Sequence, residues 1–239
     1  MSSVVTDIRE ALAALAVPGK ALDYQKFFKT GIGEYSEGDV FLGISVPDQR
    51  AVAKAFYLNI SLDEISLLLS SDYHEHRLTA LLMMVNRFRK AKSQAEKNEI
   101  VDLYLSHLQY VNNWDLADSS SYTILGCYAY EYDRADLLRS LALSDPMWHK
   151  RIAVVATLYH IKKHSFELTK ELVSNNLEHP HDLMHKANGW MLREMGKKAP
   201  DDLIRYLNRH YQDMPRTCLR YAIEKLDEPL RQKYLKGQI

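Results

Sequence analysis

Five stretches of the chain repeat one pattern. "EHRLTALLMMV", "NWDLADSSSYTIL", "HKRIAVVATLY", "MHKANGWMLRE" and "PRTCLRYAIEK" begin at residues 75, 113, 149, 184 and 215, and each looks like the opening of the second helix of a helical pair. A recurrence of about 30–38 residues is the period of stacked helical pairs. One such pair cannot bury its apolar face alone, so neighbouring pairs must stack and share a core. This predicts an all-α chain, a HEAT-like helical-repeat α-solenoid whose curvature leaves a concave binding face.

The local patterning agrees. "DEISLLLSSDYHEHRLTALLMMVNRFRKA" (63–91) gives two apolar runs with a short polar joint. "VVATLYHIKK", "LMHKANGWMLREMGKK" and "PRTCLRYAIEKL" repeat apolar residues at three- and four-residue steps. In "SDP" (144–146) Asp145 is expected as N-cap with Pro146 at the first helical position; in "APDDL" Pro200 opens a helix with two acids in its first turn. "HPHD" (179–182) and "DMP" (213–215) mark further joints. Neither strand alternation nor an Asn-Gly or Asp-Gly hairpin is found, and nine glycines and seven prolines are few for an all-β chain of 239 residues. The whole of 1–239 reads as a single repeat domain. Its exception is "FKTGIGEYSEGDVFLGISVPDQR" (28–50), where the glycines predict an irregular loop over about 30–47, ordered against the first repeat.

Several classes fall away. No window approaches the roughly 18 apolar residues of a membrane span. The N-terminal "MSSVVTDIREALAALAVPGK" carries early charges and reads as a short helix rather than a signal peptide. Cys127 and Cys218, far apart among apolar neighbours, read as reduced core residues of an intracellular, cytoplasmic protein. The formal net charge is zero, yet residues 1–120 hold 12 Lys+Arg against 16 Asp+Glu, and residues 121–239 hold 19 against 15. A C-terminal surplus of four permits a basic face without a basic protein. No phosphate loop, GxSxG or dinucleotide fingerprint occurs. "HEH" (74–76) and "HPHDLMH" (179–185) lack cysteine partners and HExxH spacing, so these histidines read as solvated loop or cap residues and no metal is expected.

The stretch "YVNNWDLAD" (110–118) is richer than a helix start requires. Asn112 or Asn113 as N-cap, with Asp115 in the first turn, suits the helix dipole. Trp114 and Asp118, four residues apart, share a different face, away from the Leu116, Ser120, Thr123, Ile124 and Cys127 stripe. Leu125 lies on the Trp114 side, so packing and a site both remain open there. Trp148 reads as core with Ile152, Val155 and Tyr159. Arg151, beside apolar residues near a helix start, requires an anionic partner, either an ion pair or a ligand. Gly189 in mid-helix costs about 1 kcal/mol against alanine, which either tight helix packing or a close ligand beside Trp190 would justify.

Taken in order, "NNWDLADSSSYTILG", "MWHKRIAVVATLYHIKK" and "HKANGWMLREMGKKAPDDLIRYL" resemble the DNA alkylation-repair proteins of the AlkD group over about residues 75–226, and "FLGISVPDQR" resembles the stretch ahead of that family's second helical pair. The resemblance implies a monofunctional, cofactor-free DNA glycosylase that removes cationic N3- and N7-alkylated purines from double-stranded DNA, as a monomer and, in a bacterium, at the nucleoid. Carried over, Asp118 would be the catalytic carboxylate, Trp114 and Trp190 would flank the lesion's deoxyribose, and Arg151 would contact the DNA backbone. Lys186, Arg193, Lys197 and Lys198 could hold phosphates. The chemistry is compatible: a departing cationic purine leaves an oxocarbenium-like sugar, which one carboxylate can stabilise while it positions a water. The sequence departs from the pattern where relatives grip DNA with basic, aromatic N-terminal helices. Here stands the acidic, glycine-rich "TGIGEYSEGD", with Lys26 and Lys29 the nearest cations. Two other readings therefore stay open: a DNA binder that keeps the fold without excision, and a protein-interaction solenoid.

Overall fold

The computed structural model describes residues 3–239. The chain is all-α. Among the described residues there is no strand, and an isolated parallel bridge joins Val40 to Tyr73. No helix among them is long and apolar enough to cross a membrane. The backbone contacts group the chain into two compact units, the first ending at Ser120 and the second running from Ser121 to Ile239.

The first unit holds α1 (Val4–Ala13), α2 (Pro18–Phe28), α3 (Val46–Phe56), α4 (Leu62–Leu69), α5 (His74–Lys90), α6 (Gln94–Ser106) and α7 (Trp114–Ser121), with a short 3-10 turn at Leu108–Tyr110. Local chemistry starts several of these helices. The Ser3 hydroxyl accepts from the Thr6 N–H to begin α1, and Ser61 with Glu64 forms a full capping box at α4. Helix α5 is the hub, with α3, α4 and α6 packed on it. It is buried without interruption from His74 to Val85, although its first four residues are polar or charged. A helix buried on every side is ordinarily apolar on every side, so that polar start needs internal partners.

The loop between α2 and α3 supplies some of them. Glu75 is buried, and its carboxylate accepts from the backbone N–H groups of Leu42 (2.9 Å), Gly43 (2.8 Å) and Ile44 (3.2 Å). Gly43 has φ +81°, and a Cβ there would lie 2.3 Å from the Val17 carbonyl oxygen, so this position admits glycine alone. The end of the glycine-rich segment, at residues 42–44, is thus seated on the first turn of α5.

The second unit opens with a π-helical turn at Tyr122–Gly126 and continues through α8 (Cys127–Glu131), α9 (Ala135–Leu143), α10 (Met147–Ala156), α11 (Leu158–Lys162), α12 (Glu167–Ser174), α13 (Asp182–Lys198), α14 (Pro200–His210), α15 (Arg216–Ala222) and α16 (Glu228–Lys236). Its hub is α13, against which α10, α11, α12, α14 and α15 pack. Pro200 opens α14 with Asp201 and Asp202 in the first turn, as expected. At α10 the expected cap is displaced by one residue. Pro146 itself takes the N-cap position, its ψ of 129° holding it extended and outside the helix, with no side-chain cap bond. Trp148, expected in the core, is only half-buried, since it falls in that exposed first turn.

Candidate functional site

The start of α7 is built from two kinds of residue. Asn113 is the cap. Its carbonyl accepts the first helical bond from Ala117 (3.1 Å), its Oδ1 accepts from the Trp114 N–H (2.8 Å), and its Nδ2 donates to the buried Ser36 hydroxyl. Asn112 stands outside the helix and donates to Asp39 Oδ1 (3.3 Å). Within α7, Leu116, Ala117 and Ser120 are fully buried, whereas Trp114 and Asp118 are both half-buried. The Leu116–Ser120 stripe is therefore the core side of α7. Leu125 is also fully buried, so packing claims that residue too. Asp118 lies close enough to Tyr104 that its charge adds to the effect of burial, which holds the Tyr104 phenol protonated; that phenol hydrogen-bonds the Ser120 hydroxyl (2.9 Å).

Asp115 does more than face the helix dipole. Its Oδ1 accepts from the Leu116 N–H, and its Oδ2 accepts from His74 Nε2 at 2.8 Å. The other ring nitrogen of His74 donates to Asp39 Oδ2 (3.1 Å), and Arg77 Nη2 donates to Asp39 Oδ1 (2.7 Å). Burial opposes charge on His74, which is 2 % exposed, but the Asp115 carboxylate and then Asp39 outweigh it and raise its pKa to about 9. Burial alone would raise the Asp39 pKa; the bonds from His74 and the charge of Arg77 outweigh that and hold it low. The result is a buried, alternating network of two carboxylates and two cations.

This network corrects the expectation that "HEH" (74–76) is solvated. All three residues are buried. His74 bridges two aspartates and Glu75 holds the loop. His76 meets the Ser71 hydroxyl (2.8 Å) and stays neutral, its pKa lowered to about 4 by burial and then by the charges of Arg9 and Arg77. The "HPHDLMH" histidines do behave as loop and cap groups. His181 Nδ1 accepts from the Leu183 N–H at the start of α13, and His185 Nε2 donates to the His179 carbonyl. Among the described residues no group of three or more His, Cys, Asp or Glu side chains is arranged to hold a metal ion.

Aromatic rings complete the first unit's site. Phe28 stacks on Trp114 with centroids 5.3 Å apart and planes at 18°, Phe41 stacks on Phe28 at 5.0 Å, and the His74 imidazole stacks on Phe41 at 4.6 Å. Phe27 meets Trp114 edge-on at 6.0 Å. Sequence reasoning missed this cluster. Its signal was present in "YQKFF", where Tyr24, Phe27 and Phe28 fall at three- and four-residue steps on α2.

In the second unit, Arg151 is buried on α10, and its Nη1 donates to the Leu183 carbonyl in the first turn of α13. Trp190 is half-buried on α13. The same helix carries Lys186, paired with Asp182 (2.9 Å), Lys197, paired with Glu194 (2.6 Å), Arg193, paired with Glu224, and the exposed Lys198. Gly189 is explained by packing: a Cβ there would lie 2.4 Å from the Cys218 carbonyl oxygen and 2.5 Å from Tyr221 Cβ on α15.

With this geometry in place, comparison with known proteins is specific. The family model for the DNA alkylation repair enzyme matches residues 8–226. Among solved structures, a predicted DNA alkylation repair enzyme from Enterococcus faecalis is similar with a TM-score of 0.69 at 17 % identity, over 89 % of this chain and 97 % of that chain. At that identity the likeness concerns the fold. No curated protein matches the chain.

Proposed function

The chain belongs to the DNA alkylation repair enzyme family, and from that premise we propose that it is a DNA glycosylase for cationic N3- and N7-alkylpurines, with Asp118 as its catalytic carboxylate. The observation that carries this reading is the two-sidedness of α7. Its Leu116–Ser120 side is fully buried, while Trp114 and Asp118 stay half-buried four residues apart. One helix face therefore offers a carboxylate and an indole together. As the bond between a cationic purine and its sugar lengthens, positive charge moves onto the sugar. The carboxylate stabilises that charge and orients a water towards the anomeric carbon, while an aromatic face adds cation–π attraction. The purine leaves already activated, so no general acid is required.

The test is release of free 7-methylguanine or 3-methyladenine from methylated duplex DNA. Asp118→Asn is expected to lower release by at least a hundredfold, in the range of a lost transition-state electrostatic contact, with duplex affinity nearly unchanged. Equal turnover by that variant would remove Asp118 from the mechanism.

A second reading has its own support. Lys186, Arg193 and Lys197 already pair with acidic neighbours, Arg151 is buried against a carbonyl, and Phe28 covers one face of Trp114. Those features suit a DNA-binding protein that keeps the fold with little excision. A low-salt duplex titration beside the release assay separates the two: binding without release favours the second reading.

A further inference from the structure

The aromatic cluster of the first unit does not simply pack. It lines a cavity of about 570 Å3, within the roughly 300–1,000 Å3 typical of small-ligand sites. Five rings, those of Tyr24, Phe27, Phe28, Phe41 and Trp114, are among the side chains that line it. Asp118 is not part of that wall; Trp114 and Asp115 are. The cavity reaches solvent at Phe27, which is 63 % exposed, and at the exposed Asp23.

Two further features give it a chemical preference. The first is electrostatic. Asp23, Glu75 and Asp115 line the cavity and Asp39 lies directly behind His74, so four carboxylates surround two cations, His74 and Arg77. Lys26 and Lys29 lie on the same end of α2 but do not line it. A site with surplus negative charge and aromatic walls favours a cation and disfavours an anion. The second is a hydrogen-bonding group left over. Gln49 lines the cavity at 2 % exposure. Its Nε2 donates to the Ile44 carbonyl (2.9 Å), yet its Oε1 has no hydrogen-bond partner among the described residues. A buried acceptor without a donor is costly and calls for an explanation, and a ligand that brings a donor supplies one. Glu75 cannot take this role, because its two oxygens are occupied by three backbone N–H groups.

We propose that this cavity is a binding site for a planar heteroaromatic cation bearing an N–H donor, with the ring held between aromatic walls, the N–H directed to Gln49 Oε1 and the charge balanced by Asp23 and Asp115. The ligand class follows from the cavity; only its source, an N-alkylated purine base or nucleoside, rests on the alkylation-repair reading. The site is distinct from the Asp118 carboxylate and shares Trp114 with it, so a methylated purine can be held in the first unit without occupying the proposed catalytic position.

The experiment is titration calorimetry on the full chain, with Trp fluorescence as a second readout. Three probes are used: 7-methylguanosine at mildly acid pH, where its ring is cationic; guanosine, which keeps the donors without the charge; and N-methylquinolinium, which keeps the charge without a donor. The expected result is saturable one-to-one binding of 7-methylguanosine, about tenfold tighter than either control. Phe27→Ala and Asp23→Asn sit at exposed positions and should fold normally. The first should weaken 7-methylguanosine about tenfold, and the second should erase its advantage over guanosine. Gln49→Met should weaken 7-methylguanosine and leave N-methylquinolinium unchanged. Absence of binding, equal binding of guanosine, or indifference to Phe27→Ala overturns the proposal. Base release is measured on the same preparations. Binding without release from methylated duplex rejects the glycosylase assignment and keeps the cavity, whereas release without nucleoside binding rejects the cavity alone.

Discussion

At the scale of single residues, histidine protonation sets the most direct expectation. His74 has a folded pKa of about 9 against an ordinary 6.5, so its contribution to stability is complete below about 6.5 and is lost as pH rises through 9. His76 and His160 behave oppositely. Both are held near 4 chiefly by burial, so the folded state resists protonation that the unfolded chain accepts, and stability declines as pH falls from 6.5 towards 4. Together the three place a maximum near pH 6.5, which urea unfolding across the pH range would read directly. Asp115→Asn should lower the maximum and flatten the alkaline limb, because His74 then lacks its strongest reason to stay charged. An alkaline limb unchanged in that variant would show that the network does not hold the proton. None of this is legible in "HEH" itself. The partners Asp39 and Asp115 lie 35 and 41 residues away in sequence, and pattern reading carries no information about contacts at that range.

At the scale of elements, helices were largely legible because they depend on near neighbours. The apolar periodicity finds α5, α13 and α15, its 154–163 run is divided at Thr157 between the end of α10 and α11, the Pro200 start of α14 is placed correctly, and Asn113 begins α7 as one of the two asparagines expected to do so. What periodicity could not supply is which face meets what. Gly189 illustrates the gap: the residue stands out in the sequence, but the choice between a ligand and a helix needed the α15 backbone beside it. Gly189→Ala should cost about 1–3 kcal/mol of unfolding free energy through overpacking, despite the better helix propensity of alanine, as thermal or urea unfolding would report. A stabilised variant would mean that α13 and α15 can separate freely. The α2 aromatics were passed over for a related reason. Three rings at helical spacing are equally compatible with ordinary core, and only the contacts of Phe27 and Phe28 with Trp114, and of Phe28 with His74, distinguish them.

At the scale of the whole molecule, the charge distribution bears on how DNA would be held. The chain is neutral overall, with the surplus of cations in residues 121–239. On α13 most of the candidate phosphate contacts are already spent on neighbouring acids. Exposed pairs of this kind contribute only about 0–1 kcal/mol each, so exchanging a carboxylate for a phosphate is inexpensive. If Lys186, Arg193, Lys197 and Lys198 each take a phosphate, log affinity should fall with log salt at a slope of about −3 to −4, near −0.9 per contact. Lys198→Ala should reduce that slope by about 1, while Arg205→Ala, on α14 and paired with Asp202, should leave it alone. A slope indifferent to Lys198 would take α13 out of the interface. Family membership was readable from three short motifs in order, since the family model matches residues 8–226. The aromatic cavity was not readable, because its walls come from α2, α3, α5, α7 and the loop that joins α2 to α3.

That loop has a particular kind of freedom. Glu75 holds it by three main-chain N–H groups, which every residue except proline can provide, so the tether is indifferent to the side chains at 42 and 44. That tether requires only Gly43, for its left-handed turn, and Glu75; the side chains of Asp39, Phe41 and Ile44 are held separately, by ion pairing and by burial. Path and packing are thus held by separate devices: a size-preserving change at Ile44 would alter the cavity wall while Glu75 keeps the main chain in place.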